Sequence, residues 1–398
     1  MDLAMTLFNS NKTKYLKAVD AVLKFFYKAP NSNVGALIEK TQVQNILVIS
    51  FLLLGDSIMY LPPLRVLRKN FPNASITLVG GTLVKKLYSN QGVFDQFIEA
   101  ESFWVAKTRN PLKILKFFLT LRVVNKLQYD MAIDFRGDWR NIFYMSHINA
   151  DRKISYNYTG GEYMLTDAVD GASYSGSYVG SYLYLLKELG CDMAADDAYP
   201  TLEVTDTQKK LVSSLIDKKH LNEKLIVGVH PGASLEIKQL DVEVYADAIV
   251  SIREQHSQTH FFIFQGPNES EIVTSLCAIL PETIEYTIIA SPLSEYIAYV
   301  SGCSLLICND SGASHIAASL NVPVVVVYTN VEPRYFSPNG RNVVRIISHS
   351  LPCKPCTRTV CPLGTDACKK AIQSSEVSLA ANELVESLLR KGSPNLPQ

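Results

Sequence analysis

The sequence has no net charge to spare for one class of partner: its 398 residues carry 38 Lys and Arg against 38 Asp and Glu. That balance excludes a uniformly basic nucleic-acid coat and an acidic disordered chain. Its longest apolar runs, residues 46–54 and 322–328, fall far short of the roughly 20 residues needed to cross a bilayer and read as buried strands. No apolar core follows a basic stretch at the start, so no secretory signal is visible and a cytoplasmic location is expected. A G-x-G-x-x-G fingerprint is absent, which argues against a common nicotinamide fold, and there is no Walker pattern. Eight cysteines in so long a chain, without a signal, point to reduced thiols or a metal site rather than a disulfide scaffold.

Hydrophobic residues make up 47% of the chain, enough for a large core, and the length exceeds one compact domain, so two are expected. The neutral total hides an asymmetry. Residues 1–126 hold 17 Lys and Arg against 7 Asp and Glu, leaving 21 against 31 for the remainder, so the front half should attract anions.

From Asn45 short β-branched runs alternate with amphipathic stretches: NILVISFLLLGD, LRVLRKNFP, SITLVGG and TLVKKLYSN, then YDMAIDFRG, and again from Lys224 in KLIVGVHPG, THFFIFQGP, SLLICNDSG and VPVVVVYTN. Strands of continuous Val, Ile and Leu with helices between them imply parallel sheets covered on both faces. The expected division is an amino-terminal amphipathic extension over 1–44, Rossmann-like domains over 45–205 and 206–375, and a final helix and tail over 376–398. The final helix is expected to pack back across the cleft. In the extension, Leu16, Val19, Leu23 and Phe26 share a helical face and Lys14, Lys17, Lys24 and Lys28 lie mostly elsewhere. Such a helix either docks on its own domain or lies on an anionic membrane surface. Residues 111–126 form a second basic amphipathic candidate.

In open parallel sheets ligands bind where strands end and helices begin, because helix amino termini converge there with unpaired N–H groups. The first such turn is Leu54-Gly55-Asp56-Ser57, where glycine permits close approach and Asp56 projects a carboxylate; a helix cap is the plain alternative. The second is His230-Pro231-Gly232-Ala233-Ser234 with Lys238 beyond it, a phosphate grip of one hydroxyl and one mobile cation. The third, Asn309-Asp310-Ser311-Gly312-Ala313-Ser314-His315, opens a helix of small residues whose amides and dipole suit a diphosphate, though Asp310 and His315 could simply cap and pack.

These segments carry a resemblance. NILVISFLLLGDSIMYLPPLRVLRKNFPNASITLVGG, YDMAIDFRGDWRN, VGVHPGASLEIKQ, GPNESE and CNDSGASHIAASLNVPVVVVY resemble, in order and spacing, the heptosyltransferases of glycosyltransferase family nine, from Asn45 to about Ile372. The resemblance implies an α/β architecture of GT-B type, two Rossmann-like doubly wound domains facing a cleft, with acceptor on the front domain and nucleotide sugar on the rear. It implies Asp56 as general base beside Gly55, Ser234 and Lys238 as donor-phosphate ligands, Asp310, Ser311, Gly312 and His315 as the nucleotide turn, and Glu269 near the ribose. The reaction implied is inverting transfer of heptose from ADP-heptose to a lipopolysaccharide core hydroxyl, with no metal or other cofactor. In it, Lys238 and the amides around Ser311 stabilise the departing ADP. The lack of a convincing Asp-x-Asp pair agrees, and the basic front domain suits a lipid-linked anionic acceptor, with peripheral contact at the cytosolic face of the inner membrane. Leu52 and Leu53 before Asp56, and Leu235 and Gln239-Leu240 after the phosphate turn, depart from the family pattern. They leave open another nucleotide sugar, or a nucleotide-sugar-binding protein that has lost catalysis.

Near the end, Cys353-x2-Cys356-x4-Cys361-x6-Cys368 brings four thiols close enough in sequence to ligate one tetrahedral ion, zinc by default. Reduced or disulfide-paired cysteines are the alternative.

Overall fold

The computed structural model describes residues 20, 22, 24, 25, 27 and 39–390, except 172, 173, 175, 332, 342, 343 and 357. The chain divides between Ala198 and Tyr199 into two units.

The first unit is built on six parallel strands: β1 (Asn45–Ser50), β2 (Ser75–Gly80), β3 (Gln96–Glu99), β4 (Tyr129–Asp134), β5 (Ala150–Tyr156) and β6 (Asp167–Val169), in the order β3-β2-β1-β4-β5-β6. In β1 every residue after Asn45 is buried, as a strand covered on both faces requires. Helix α1 (Leu54–Asn70) follows β1 directly. Nearly every position from Ser57 to Leu67 is buried although Pro62 and Pro63 each remove an intrahelical N–H donor, so tertiary burial rather than propensity holds this helix. Phe71 caps it, and Pro72 cannot continue it.

The second unit repeats the plan with β7 (Leu225–His230), β8 (Thr259–Gln265), β9 (Tyr286–Ala290), β10 (Leu305–Asn309), β11 (Val324–Tyr328) and β12 (Val344–Ser348), ordered β12-β11-β10-β7-β8-β9. Numbered from its own first strand and read from the far edge, this is again 3-2-1-4-5-6, the Rossmann order. Both sheets are wholly parallel, with helices in the connections between strands. The final helix (Ser374–Arg390) buries Val377, Ala381, Leu384 and Val385 in the core of its own unit, beside the helix Val242–Gln255, and Asn382 Nδ2 donates to Ser251 Oγ at 3.0 Å.

Most of the amino-terminal extension, including Leu16, Val19, Leu23 and Phe26, lies outside the described residues. Of the remainder, Asp20 Oδ1 accepts from Trp139 Nε1 at 2.7 Å and Tyr27 stacks edge-on against Tyr163, both within the first unit.

Candidate functional site

In each sheet the strand order reverses beside its first strand, between β1 and β4 and between β7 and β10, and the turns leaving those strands flank the point where crossovers diverge to opposite faces. The sequence-predicted residues gather at these two places.

In the first unit, Asp56 sits in the first turn of α1, where the helix dipole favours a carboxylate. Gly55 is already helical there and needs no left-handed turn. Arg136, on the turn after β4, brings Nη1 to 2.8 Å from Asp56 Oδ2, and both side chains keep only about a fifth of their exposure (18% and 22%). The Arg136 turn is itself pinned. Asp134 accepts from Gly137 N at 2.9 Å, Ser155 Oγ at 3.0 Å and Asn141 Nδ2 at 2.8 Å. Gly137 adopts φ 64°, and a Cβ there would stand 2.7 Å from Tyr156 Cβ, so only glycine fits.

Burial raises the Asp134 carboxyl pKa to about 6, against the opposing hydrogen bonds from Asn141 and Ser155. Burial alone would lower the Arg136 pKa; Asp56, with Tyr182, Tyr60 and Asp138, more than offsets it and the net shift is upward. The guanidinium therefore stays charged. Arg136 Nε and the Tyr60 hydroxyl are buried without a hydrogen-bond partner among the described residues. Leu52 is buried and Leu53 is exposed, leaving an apolar side chain three residues from Asp56 where the family pattern has hydroxyls.

In the second unit, Lys238 Nζ lies 2.5 Å from Asp310 Oδ2, with side-chain exposures of 21% and 8%. Buried Asn309 fastens the two turns together: its Nδ2 donates to Pro231 O at 2.7 Å, and its Oδ1 accepts from Leu240 N at 3.3 Å. Thr329 Oγ1 anchors the Lys238 segment by donating to Ile237 O at 2.7 Å. Ser311 caps the helix Gly312–Ser319, its Oγ accepting from Ala313 N at 3.3 Å, while Ser234 is exposed on the neighbouring turn and His315 is buried within the helix.

Glu269 lies against the same turns. Its Oε2 accepts from Gly266 N at 2.7 Å and stands 3.3 Å from His230 Nε2, whose Nδ1 meets the Tyr296 hydroxyl at 3.0 Å. A Cβ on Gly232 would come within 2.0 Å of the Glu269 carboxyl carbon, so the missing side chain is what admits the carboxylate. Burial pushes the Glu269 pKa up, but His230 and the Gly266 amide outweigh it and hold it below the ordinary range. The second unit thus presents a cation, a capped helix start and a fixed carboxylate, which together suit a diphosphate and a vicinal diol.

Arg136, Tyr296 and the contact role of His230 were not singled out in the sequence. Arg136 stood within YDMAIDFRGDWRN, just past a strand end, which is the signal that could have found it. Tyr296 is mid-helix and carries no such signal.

Of the two readings of the cysteine cluster, the structural zinc finds no support. All eight cysteines are free, and among the described residues no group of three or more His, Cys, Asp or Glu is arranged to hold a metal ion. Cys353, Cys356, Cys361 and Cys368 instead line a cavity of about 290 Å³ beside Ile237 and Asn330. Among the described residues no helix is long and apolar enough to cross a membrane.

Two wholly parallel doubly wound domains are the architecture of the GT-B fold. Residues 117–366 match glycosyltransferase family 9 (heptosyltransferase). The chain belongs to that family, and it is a glycosyltransferase. It is 23% identical to lipooligosaccharide heptosyltransferase 2 of Campylobacter jejuni over 84% of this chain and 96% of the relative. It is 22% identical to lipopolysaccharide heptosyltransferase 3 of Escherichia coli over 73% and 85%. In fold it resembles a family 9 glycosyltransferase of Veillonella parvula (20% identity, TM-score 0.71, 86% and 97% covered). It also resembles E. coli ADP-heptose LPS heptosyltransferase II (19% identity, TM-score 0.69, 88% and 100% covered).

Proposed function

We propose that this enzyme transfers a heptose from ADP-heptose to a hydroxyl of a lipopolysaccharide core acceptor, by single displacement with inversion and without a metal. The observation that carries the donor half is the Lys238–Asp310 pair beside the Ser311-capped helix start. A buried carboxylate holds the lysine where a diphosphate can take it as counter-ion. Glu269, fixed by His230 and Gly266 N, has a second oxygen to offer a ribose hydroxyl. Ser234 adds a hydroxyl donor, and His315 supports the nucleotide turn from within its helix.

The first unit supplies the base. Arg136 engages Asp56 Oδ2, leaving Oδ1 to accept the proton of the attacking hydroxyl. The acceptor oxygen bonds to the anomeric carbon as the bond from that carbon to the diphosphate oxygen breaks, and the electron pair leaves with ADP. General-base assistance of this kind contributes about 10²–10⁴-fold. Charge building on the diphosphate is met by Lys238 and the amides at Ser311 and Gly312, which supply without a metal the stabilisation a cation clamp gives elsewhere. The acceptor is lipid-linked and anionic, so the reaction belongs at the cytosolic face of the membrane that carries it.

Incubation with ADP-heptose and truncated lipopolysaccharide acceptors tests this, with mass and anomeric configuration of the product as readouts. Addition of one heptose with inverted configuration, unaffected by EDTA, is expected. Transfer only from a different nucleotide sugar would move the donor assignment, and donor binding without product from any acceptor would favour the catalytically silent reading.

A further inference from the structure

The helix α2 (Pro111–Leu119) continues after Thr120 into α3 (Leu121–Val124) on the first unit. Its inner face is accounted for: Phe117 is buried, with its ring centroid 5.2 Å from that of Phe51, 5.1 Å from Trp104 and 4.9 Å from Tyr144. The outer face is also apolar. Leu112, Leu115, Leu119, Val123 and Leu127 are 39 to 73% exposed. The first four, spaced three, four and four residues apart, fall at about 100° per residue within an arc of about 80° opposite Phe117, and Leu127 follows just past the helix end. A helix on a protein surface normally turns polar residues outward, so a second apolar stripe needs something to cover it.

Its charge says what. Exposed Lys113, Lys116, Arg122 and Lys126 border the stripe, and Lys107 and Arg109 precede it, while no acidic residue occurs between Glu101 and Asp130. The carboxylate of Glu99, which feels Lys116, is already matched by Lys85 at 3.3 Å and Thr82 at 2.7 Å. Leucines that can enter the acyl boundary, bordered by lysines that meet anionic headgroups, are the two components of interfacial helix binding.

We infer that residues 111–127 form a docking face for an anionic lipid bilayer. It deepens the lipid-linked acceptor reading. The inner face of the same helix packs on Phe51, five residues before Asp56, so the membrane contact and the proposed base lie on the same unit.

The test is flotation of the full chain with vesicles of phosphatidylcholine alone or mixed with phosphatidylglycerol, at low and high salt. The wild type should float with the mixed vesicles and be released by salt. Leu115→Glu/Leu119→Glu and, separately, Lys113→Glu/Lys116→Glu should each lower partition by about tenfold or more. All four residues are exposed, so both variants should keep the wild-type circular dichroism spectrum and melting temperature. No flotation of the wild type, or undiminished flotation of both variants, overturns the inference. A wild-type dimer that the leucine variant dissociates also overturns it, by giving the stripe to a second copy. Asp56→Asn should float as the wild type does, and the leucine variant should turn over a lipid-free acceptor normally, so the docking face and the catalytic reading fail separately.

Discussion

Replacing Lys238 by alanine separates the two roles its ion pair can have. The ammonium lies 2.5 Å from Asp310 Oδ2, and Asp310 keeps 8% of its side-chain exposure. Removing one member of a fully buried pair costs about 3–5 kcal/mol because the other charge is left unmatched. Lys238 keeps 21% exposure, so water entering its place would soften this to about 2–3 kcal/mol. Adding Asp310→Asn removes the stranded charge and should restore most of that stability. Catalysis should not follow: the departing diphosphate still lacks its counter-ion, and loss of one such electrostatic contact typically costs about 10²–10³ in kcat. Urea melts give the stability cycle, and donor titration with steady-state rates gives the functional one. If Lys238→Ala costs under about 0.5 kcal/mol and leaves kcat intact, the reasoning fails. If Asp310→Asn restores turnover together with stability, Lys238 is only a structural counter-ion.

Three other outcomes follow from the geometry. Because burial lifts Asp134 from 3.8 to about 6, the folded state binds that proton more tightly than the unfolded one. Stability from this group is therefore full below pH 4 and falls as pH rises to about 6, by about 3 kcal/mol in all; Asp134→Asn should abolish that slope in melts taken across the window. Gly232→Ala would drive a methyl into the Glu269 carboxyl; since a side-chain end can yield, the melting temperature should hardly move while donor KM rises about tenfold, a loss of about 1.4 kcal/mol. Arg136→Met should lower kcat by about 10²-fold with donor affinity unchanged, because Asp56 loses the group that orients it. Arg136→Lys should recover much of that rate, which a purely structural role at the turn would not predict.

The strands were legible because parallel strands covered on both faces read as unbroken apolar runs, as in VVVVY of β11 and LIVGVH of β7. Their order was not written in any one segment. It follows from connection length and crossover handedness acting on the whole unit. The candidate turns were legible for a related reason: chemistry in such sheets collects where strands end, and Asp56, Lys238 and Asp310 all stand just beyond one. What escaped were partners brought by the third dimension. Arg136 reaches Asp56 across 80 residues, and Tyr296 reaches His230 across 66. Cysteine spacing left a metal site and reduced thiols both open because a knuckle-like interval says nothing about side-chain direction; in the fold the thiols line a cavity.

In the proposed reaction Asp56 deprotonates the acceptor. Asp56→Asn keeps an oxygen for Arg136 but removes its countercharge, so a melt must show the variant folded at the assay temperature before rates are compared. With ADP-heptose and acceptor at saturation, single-turnover rates of wild type and Asp56→Asn should differ by about 10² or more while donor affinity is unchanged. Equal rates, or a loss confined to donor binding, would contradict the assignment.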